Sequence, residues 1–412
     1  MTKKLALIAL MLVLTSPAMA QTYSGEVWHS QTIQNPLEST ASKFGFSSCM
    51  ADMNLDGAPD LLVADPGLGL VWLFTGPDFT DYSVSSGDPG GPGGPGGGPG
   101  DPADGGGYAD DVAPLVYQGA PAYMVSSKAS GTVEIIGMSG LPMKTFQGPL
   151  GASFGFDLVG HDVDGDGVQD VFIGDPQNNR VYVYNGMNLN KPWMFLEGAN
   201  ADTGSFGHSM AGLDWNGDGF GDLAVSAPGN THSDGTPLAG QVIVHLGPDL
   251  ATTVLLEDGR PVLGDNGRFG MHVEGRGRFV SVGTPREDNQ AHDSGRSRVF
   301  SSDSEKRYQS PSNEPESLFS FRTVVGNFTG DAHLDVAVMQ LSNDKGFRGL
   351  FTYNSMRRNA MNFVPAIPGA SHHWCQSAWA GQLVPGGYDV IICGDPVERR
   401  VVIYTQPGFA SH

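Results

Sequence analysis

Phe154-Gly155-Phe-Asp-Leu-Val-Gly-His-Asp162-Val-Asp164-Gly-Asp166-Gly167-Val-Gln-Asp170-Val-Phe-Ile-Gly-Asp175-Pro176 holds three features in one short stretch: an aromatic-glycine pair, an acidic loop, and an apolar run closed by proline. Eight residues separate the aromatic from the first loop aspartate. The same arrangement returns as Phe44-Gly45, Asp52 and Asp60 to Pro66, and as Phe206-Gly207, Asp214 and Asp222 to Pro228. Weaker copies start at Phe269-Gly270, Phe319-Ser320 and Trp374-Cys375, with Gly277, Asn327 and Gln382 at the loop position. From Asp162 to Asp214 is 52 residues, and from Asp52 to Asp162 is 110, so one unit is concealed between the latter two. Residues 108–137, with apolar runs at 122–125 and 132–136, fit that slot and bring the count to seven.

Each unit has further short runs of β-branched and aromatic residues, such as Val71-Trp-Leu-Phe-Thr75 and Val181-Tyr-Val-Tyr184, separated by Gly, Pro and Asp. Such runs are strands joined by tight turns. Three or four short strands in about 50 residues describe a propeller blade better than a helical repeat. The expected fold is all-β, a seven-bladed β-propeller over residues 21–412. Residues 22–35, around Trp28, are expected to lend an outer strand to the last blade and close the ring. The stretch 87–107 is a Gly/Pro-rich low-complexity loop between the first two blades; its composition leaves little apolar surface to bury.

The chain has 412 residues, formal net charge −21, 59 Gly and only 16% charged residues. Glycine at about twice the usual ~7% suits a fold made of tight turns. The acidic balance excludes nucleic acid as a partner, because phosphate binding needs a basic face. Residues 1–20 (Lys3, Lys4, an apolar core from Leu5 to Leu14, then Ala18-Met19-Ala20) read as a secretory signal peptide. The expected location is therefore periplasmic or extracellular, and no later stretch is apolar enough for a membrane span. Three cysteines, Cys49, Cys375 and Cys393, leave at least one thiol outside any intramolecular bridge. One disulfide and plain packing of all three remain open alternatives.

The acidic loops follow D-x-[DN]-x-D-G-x-x-D. Calcium, a hard cation, takes six to eight oxygens at about 2.3–2.6 Å. Side chains at positions one, three and five of a curled loop converge on a point, glycine at six allows the turn, the carbonyl of seven adds an oxygen, and position nine completes the shell. The candidate ligands are Asp52, Asn54, Asp56, Ala58 and Asp60; Asp162, Asp164, Asp166, Val168 and Asp170; and Asp214, Asn216, Asp218, Phe220 and Asp222. Ala58, Val168 and Phe220 act through the backbone. Strands rather than helices follow each loop, and position twelve is not Glu, so an EF-hand is excluded. About three structural Ca²⁺ sites are expected. A weak candidate, Asn327, Thr329, Asp331 and Asp335, has Ala332 where glycine belongs.

Phe-Gly, the acidic loop and the closing Pro together resemble the FG-GAP repeat of the integrin α-chain N-terminal propeller. The resemblance implies Ca²⁺ between the first two strands of some blades, held at positions one, three, five and nine. No HExxH or P-loop motif is found. His372-His373-Trp374 is read as a strand start, and Trp215 as packing, because Met53, Val163 and Phe328 hold the same loop position. The expectation is a non-enzymatic adhesion-type scaffold for a protein ligand. A glycan-binding propeller and a polysaccharide-cleaving enzyme on a calcium propeller are the alternatives.

Overall fold

The computed structural model describes residues 28–86, 108–149, 153–198, 204–233, 235–258, 267–288, 292–310, 315–329, 333–341, 348–354, 360–383 and 386–406. The signal-peptide segment 1–20, the 87–107 tract and Asp331 lie outside them. Strand β1 (His29–Gln34) comes first. Blade 1 holds β2–β5 (Ser48–Ala51, Asp60–Asp65, Leu70–Phe74, Tyr82–Ser86), and blade 2 holds β6–β9 (Tyr108–Tyr117, Ala120–Ser127, Thr132–Gly137, Pro142–Gln147). Blade 3 holds β10–β13 (Leu158–His161, Asp170–Asp175, Arg180–Tyr184, Met194–Glu197), and blade 4 holds β14–β17 (Met210–Leu213, Asp222–Ala227, Gln241–Leu246, Thr252–Leu256). Blade 5 holds β18–β21 (His272–Arg276, Phe279–Thr284, Arg296–Ser301, Ser304–Gln309), and blade 6 holds β22–β25 (Phe319–Gly326, Asp335–Gln340, Gly349–Tyr353, Ala360–Pro365). Blade 7 holds β26–β28 (Ala378–Gln382, Asp389–Asp395, Arg400–Thr405).

Every sheet is four-stranded, and every strand pairing is antiparallel. The first strand of each blade packs beside the first strand of the next, from β2 round to β26 and back to β2, so the seven sheets form a closed ring. The seventh sheet is completed by β1 along β28, with His29 opposite Thr405 and Gln34 opposite Arg400. Closure thus joins the two ends of the chain, as the sequence suggested. The concealed unit is blade 2. Its first two strands meet at Gln118-Gly119, a two-residue turn like Gly277-Arg278 of blade 5 and shorter than the acidic loops of blades 1, 3 and 4.

Second strands are buried on both faces, because a neighbouring blade covers each side. β3, β11, β15, β23 and β27 are buried at every position, and so their sequences are apolar runs rather than alternating ones. Between them sit the repeat aromatics. Phe44, Phe154, Phe206, Phe269, Phe319 and Trp374 are all at 0% exposure, each worth about 1.5–3 kcal/mol by burial. Phe154 meets Tyr182 edge-on at 5.0 Å, and Phe269 meets Phe300 at 5.9 Å.

The residue after each aromatic explains the pair. Gly45, Gly155, Gly207 and Gly270 have φ between 85° and 93°, and a Cβ on Gly155 would lie 2.6 Å from Ser126 Cβ of the preceding blade. Blades 2, 6 and 7 keep the same twist without glycine, at Ala109 (66°), Ser320 (74°) and Cys375 (59°). Tyr108-Ala109 is therefore the Phe-Gly pair of the hidden unit. Cys375 is bonded to Cys393, and Cys49 is free and buried. That settles the cysteine alternatives in favour of one bridge.

These two sites are expected to respond unequally. Gly155→Ala, strained in φ and in space, should lower the free energy of unfolding by about 2 kcal/mol or more. Ala109→Gly should change it by less than about 1 kcal/mol, because relief of backbone strain offsets added unfolded-state entropy. Urea denaturation of the two variants checks this.

Candidate metal loops and the central channel

The three acidic loops follow one backbone path. Glycine at position six has φ of 90° (Gly57), 85° (Gly167) and 90° (Gly219). The position-one carboxylates accept loop N–H groups: Asp52 from Asp56 at 3.1 Å and Gly57 at 3.0 Å, Asp162 from Gly165 at 2.8 Å and Gly167 at 2.9 Å, and Asp214 from Gly217 at 2.8 Å. Asn54, Asp164 and Asn216 accept from the N–H two residues on, at 2.9, 3.2 and 3.0 Å. Asp56, Asp166 and Asp218 accept from Ala58, Val168 and Phe220 at 2.8, 2.8 and 2.9 Å. These local bonds, typical of Asx turns, curl the loop and orient its oxygens. In the second of these loops, Asp162, Asp164 and Asp166 place ligand atoms within 4.8 Å of one another. A donor set of clustered carboxylate oxygens fits a hard divalent cation.

The ninth-position aspartates differ from the others. Asp60, Asp170 and Asp222 are buried to within 1% exposure, and each carboxylate is bonded at both ends to backbone. Asp170 accepts from Val163 at 3.1 Å and Gly186 at 2.8 Å; Asp222 accepts from Trp215 at 2.6 Å and Gly247 at 2.8 Å. Asp60 does the same with Met53 (2.9 Å) and Gly76 (2.9 Å). Asp170 is not in the 4.8 Å cluster. Its carboxyl is pushed up to about 6 by burial, against the pull of its two backbone donors. These residues therefore tie the loop to the third-strand turn of their own blade. In the weak sixth-blade loop, Thr329 spends its hydroxyl on Asp335 (2.9 Å), and the N–H of Asn327 goes to Asp389.

Neighbouring blades cover the loops. Arg278, in the short turn that replaces the acidic loop of blade 5, donates to the carbonyl of Asn216 at 3.0 Å. Trp215, Met53, Val163 and Phe328 are all core residues. In blade 7, Gly381 pairs with Val390 where His161 pairs with Asp170. Val390 therefore stands at position nine. Asp389, one residue earlier, reaches Arg276 of blade 5, with the closest contact at 2.7 Å.

At the opposite end of the inner strands a second feature emerges, which the sequence reading missed. The third residue after each aromatic is polar, and it links its blade to the next. Ser47 donates to Asp111 (2.7 Å), Asp111 accepts from Leu158, and Asp157 accepts from Met210. Ser209 accepts from Val273 (3.1 Å), His272 from Thr323 (3.4 Å), and Arg322 donates to the carbonyl of Gln376 (2.7 Å). Ser377 and Ser48 share a bond of 3.0 Å, and the circle is closed. The only sequence trace is a polar residue at a constant offset. This girdle surrounds a cavity of about 510 Å³ at the channel mouth. A second space of about 470 Å³, lined by Glu274, Arg276 and Trp379, continues towards the loop face. Burial holds Asp157 well above the usual carboxylate range and His272 well below the usual imidazole range.

Residues 162–225 match the FG-GAP-like repeat family, and residues 206–245 the FG-GAP repeat family. Residues 162–245 thus carry FG-GAP repeats. Human integrin alpha-7 is 28% identical over 201 residues, covering 47% of this chain and 13% of that protein. Drosophila melanogaster integrin alpha-PS2 is 38% identical over 96 residues, covering 19% and 7%. This chain thus spans only a small part of the length of these relatives. Among solved structures, virginiamycin B lyase from Staphylococcus aureus superposes with TM-score 0.60 at 8% identity, covering 92% of this chain and 100% of that one. BBS1N in complex with ARL6DN gives 0.57 at 13%, covering 93% and 98%. At such identities the two structures attest the fold alone.

Glu274 generates a pH expectation. Burial pushes its carboxyl up to about 8, opposed by the Val325 N–H and Arg276. The folded protein therefore keeps a proton that the unfolded chain loses near pH 4.3, and this group's contribution to stability falls as pH rises from there to about 8. Glu274→Gln removes that slope. The variant should gain stability relative to the parent between pH 5 and pH 8.5 in paired urea titrations.

Proposed function

We propose that this FG-GAP chain is an exported, calcium-loaded propeller that serves as a non-enzymatic scaffold for a protein partner. The observation that carries the calcium part is the convergence of Asp162, Asp164 and Asp166 in a loop whose bonding pattern recurs at Asp52 and Asp214. Clustered carboxylates repel one another unless a cation neutralises them. Calcium supplies that neutralisation and binds the turn between the first two strands of blades 1, 3 and 4. Asp162, Asp164 and Asp166 hold it through side chains, as do Asp52, Asn54 and Asp56 in blade 1 and Asp214, Asn216 and Asp218 in blade 4. The carbonyls of Ala58, Val168 and Phe220 add to the shell. The inward-turned Asp60, Asp170 and Asp222 anchor the loops from behind.

The scaffold part rests on the likeness to integrin α-chains and on the closed ring, which presents two broad loop-built faces. The disulfide between Cys375 and Cys393 suits an oxidising compartment. Among the described residues no helix is long and apolar enough to cross a membrane.

Millimolar Ca²⁺ should raise the melting midpoint of the purified protein, and EGTA should reverse the rise. A site held at 100 times its Kd contributes about 2.7 kcal/mol. Asp162→Ala together with Asp166→Ala should remove one equivalent of Ca²⁺ in calorimetric titration. An unchanged midpoint with no bound metal would overturn the calcium reading. Selective binding on a glycan array, or release of reducing ends from a polysaccharide, would overturn the scaffold reading.

A further inference from the structure

The seventh residue of each acidic loop enters the calcium reading through its carbonyl, which leaves its side chain free for another contact. Ala58 ends at its methyl. Val168 lies against the third-strand turn of its own blade, where a Cβ on Gly186 would be 2.7 Å from Val168 Cγ1. Phe220 instead crosses to the neighbouring blade. Its ring edge lies over Gly165, in the middle of the blade 3 loop, and a Cβ there would be 2.9 Å from both Cδ1 and Cε1 of Phe220. Gly165 separates two candidate ligands, Asp164 and Asp166, and donates its N–H to a third, Asp162, at 2.8 Å. On its own side Phe220 donates its N–H to Asp218 at 2.9 Å, and Gly247 backs its Cβ. Blade 5 braces the same loop from the far side. Asp214 donates its N–H to the carbonyl of Gly277 at 2.9 Å, and the Arg278 guanidinium spans Gly217. In the blade 1 loop the residue matching Gly165 is Leu55, which is 71% exposed.

We propose that Phe220 couples the loops of blades 3 and 4, so that calcium bound at either raises the affinity of the other. The inference rests on the calcium reading above and concerns how its sites act together. One residue carries both halves of the link: its carbonyl belongs to the shell of the blade 4 loop, and its ring to the packing of the blade 3 loop. A carbonyl held at a fixed point sets the backbone, and the backbone aims the ring at Gly165. With Asp214 and Gly217 braced by blade 5, a displacement of Phe220 is passed on to the blade 3 loop. Closure of one loop thus makes closure of the other less costly, and binding linkage requires the effect to be reciprocal. Charge alone would act the other way, because two divalent ions in adjacent blades repel. The sign of the coupling therefore separates contact from charge.

Calorimetric titration of the full chain with Ca²⁺ tests this, in a background where Asp52→Ala and Asp56→Ala remove the blade 1 site. In that background Asp214→Ala with Asp218→Ala leaves the blade 3 site alone, and Asp162→Ala with Asp166→Ala leaves the blade 4 site alone. The product of the two stepwise association constants should exceed the product of the two single-site constants about tenfold, within the roughly 5–150-fold usual for coupled sites. Phe220→Ala keeps the carbonyl and, carried through all three proteins, should make the two products equal. Phe220→Tyr keeps the ring and should preserve the tenfold excess. Equal products in the parent, a product below the single-site value, or an excess that survives Phe220→Ala would overturn the coupling and leave the calcium reading standing. So would loss of the excess in Phe220→Tyr. Absence of bound Ca²⁺ from every protein would overturn both.

Discussion

Everything in this ring depends on how closely one blade can lean on the one before it. The contact is made at the residue after each buried aromatic, where the chain must turn through positive φ while its α-carbon lies against the neighbouring sheet. Glycine meets both demands in four blades. The remaining three accept strain at Ala109, Ser320 and Cys375 to preserve the same approach. The aromatic then fills the wedge between blades, and the second strand, covered on both sides, becomes uniformly apolar.

The polar girdle is the inner counterpart of that apolar wedge. Inner strands of a propeller run side by side without a ladder between them, so their facing N–H and C=O groups need other partners. A serine, aspartate, histidine or arginine at one constant offset supplies them, blade after blade. The chemical type is free to vary, since only one acceptor or donor is needed at each step. That freedom leaves room for charges such as Asp111, Asp157 and Arg322 to collect around one cavity, with burial displacing their protonation.

The loop face shows a different division. Positions one, three and five of the acidic loops are exposed or half-exposed and bonded mainly to their own backbone, so their conformation is a local property. The ninth aspartate belongs instead to the body of the blade, where it ties two turns together. A nine-residue pattern in the sequence therefore contains two kinds of carboxylate, and only burial separates them.

Local chemistry was legible in the sequence. The aromatic-glycine pair, the spacing to the acidic loop, and the apolar second strand are short-range patterns, and together they determined the number of blades and the candidate metal loops. Blade 2 was legible only as a gap in the period, because Tyr108-Ala109 retains the geometry of the pair while losing its letters. Contacts between residues far apart in the chain were left to the tertiary structure. It chose the Cys375–Cys393 bridge and sent Asp389 to Arg276. It also assembled the polar girdle, and the cavity that it surrounds, from seven separate blades. Those outcomes depend on which side chains the closed ring brings face to face, and no periodicity along a single chain encodes a distance across it.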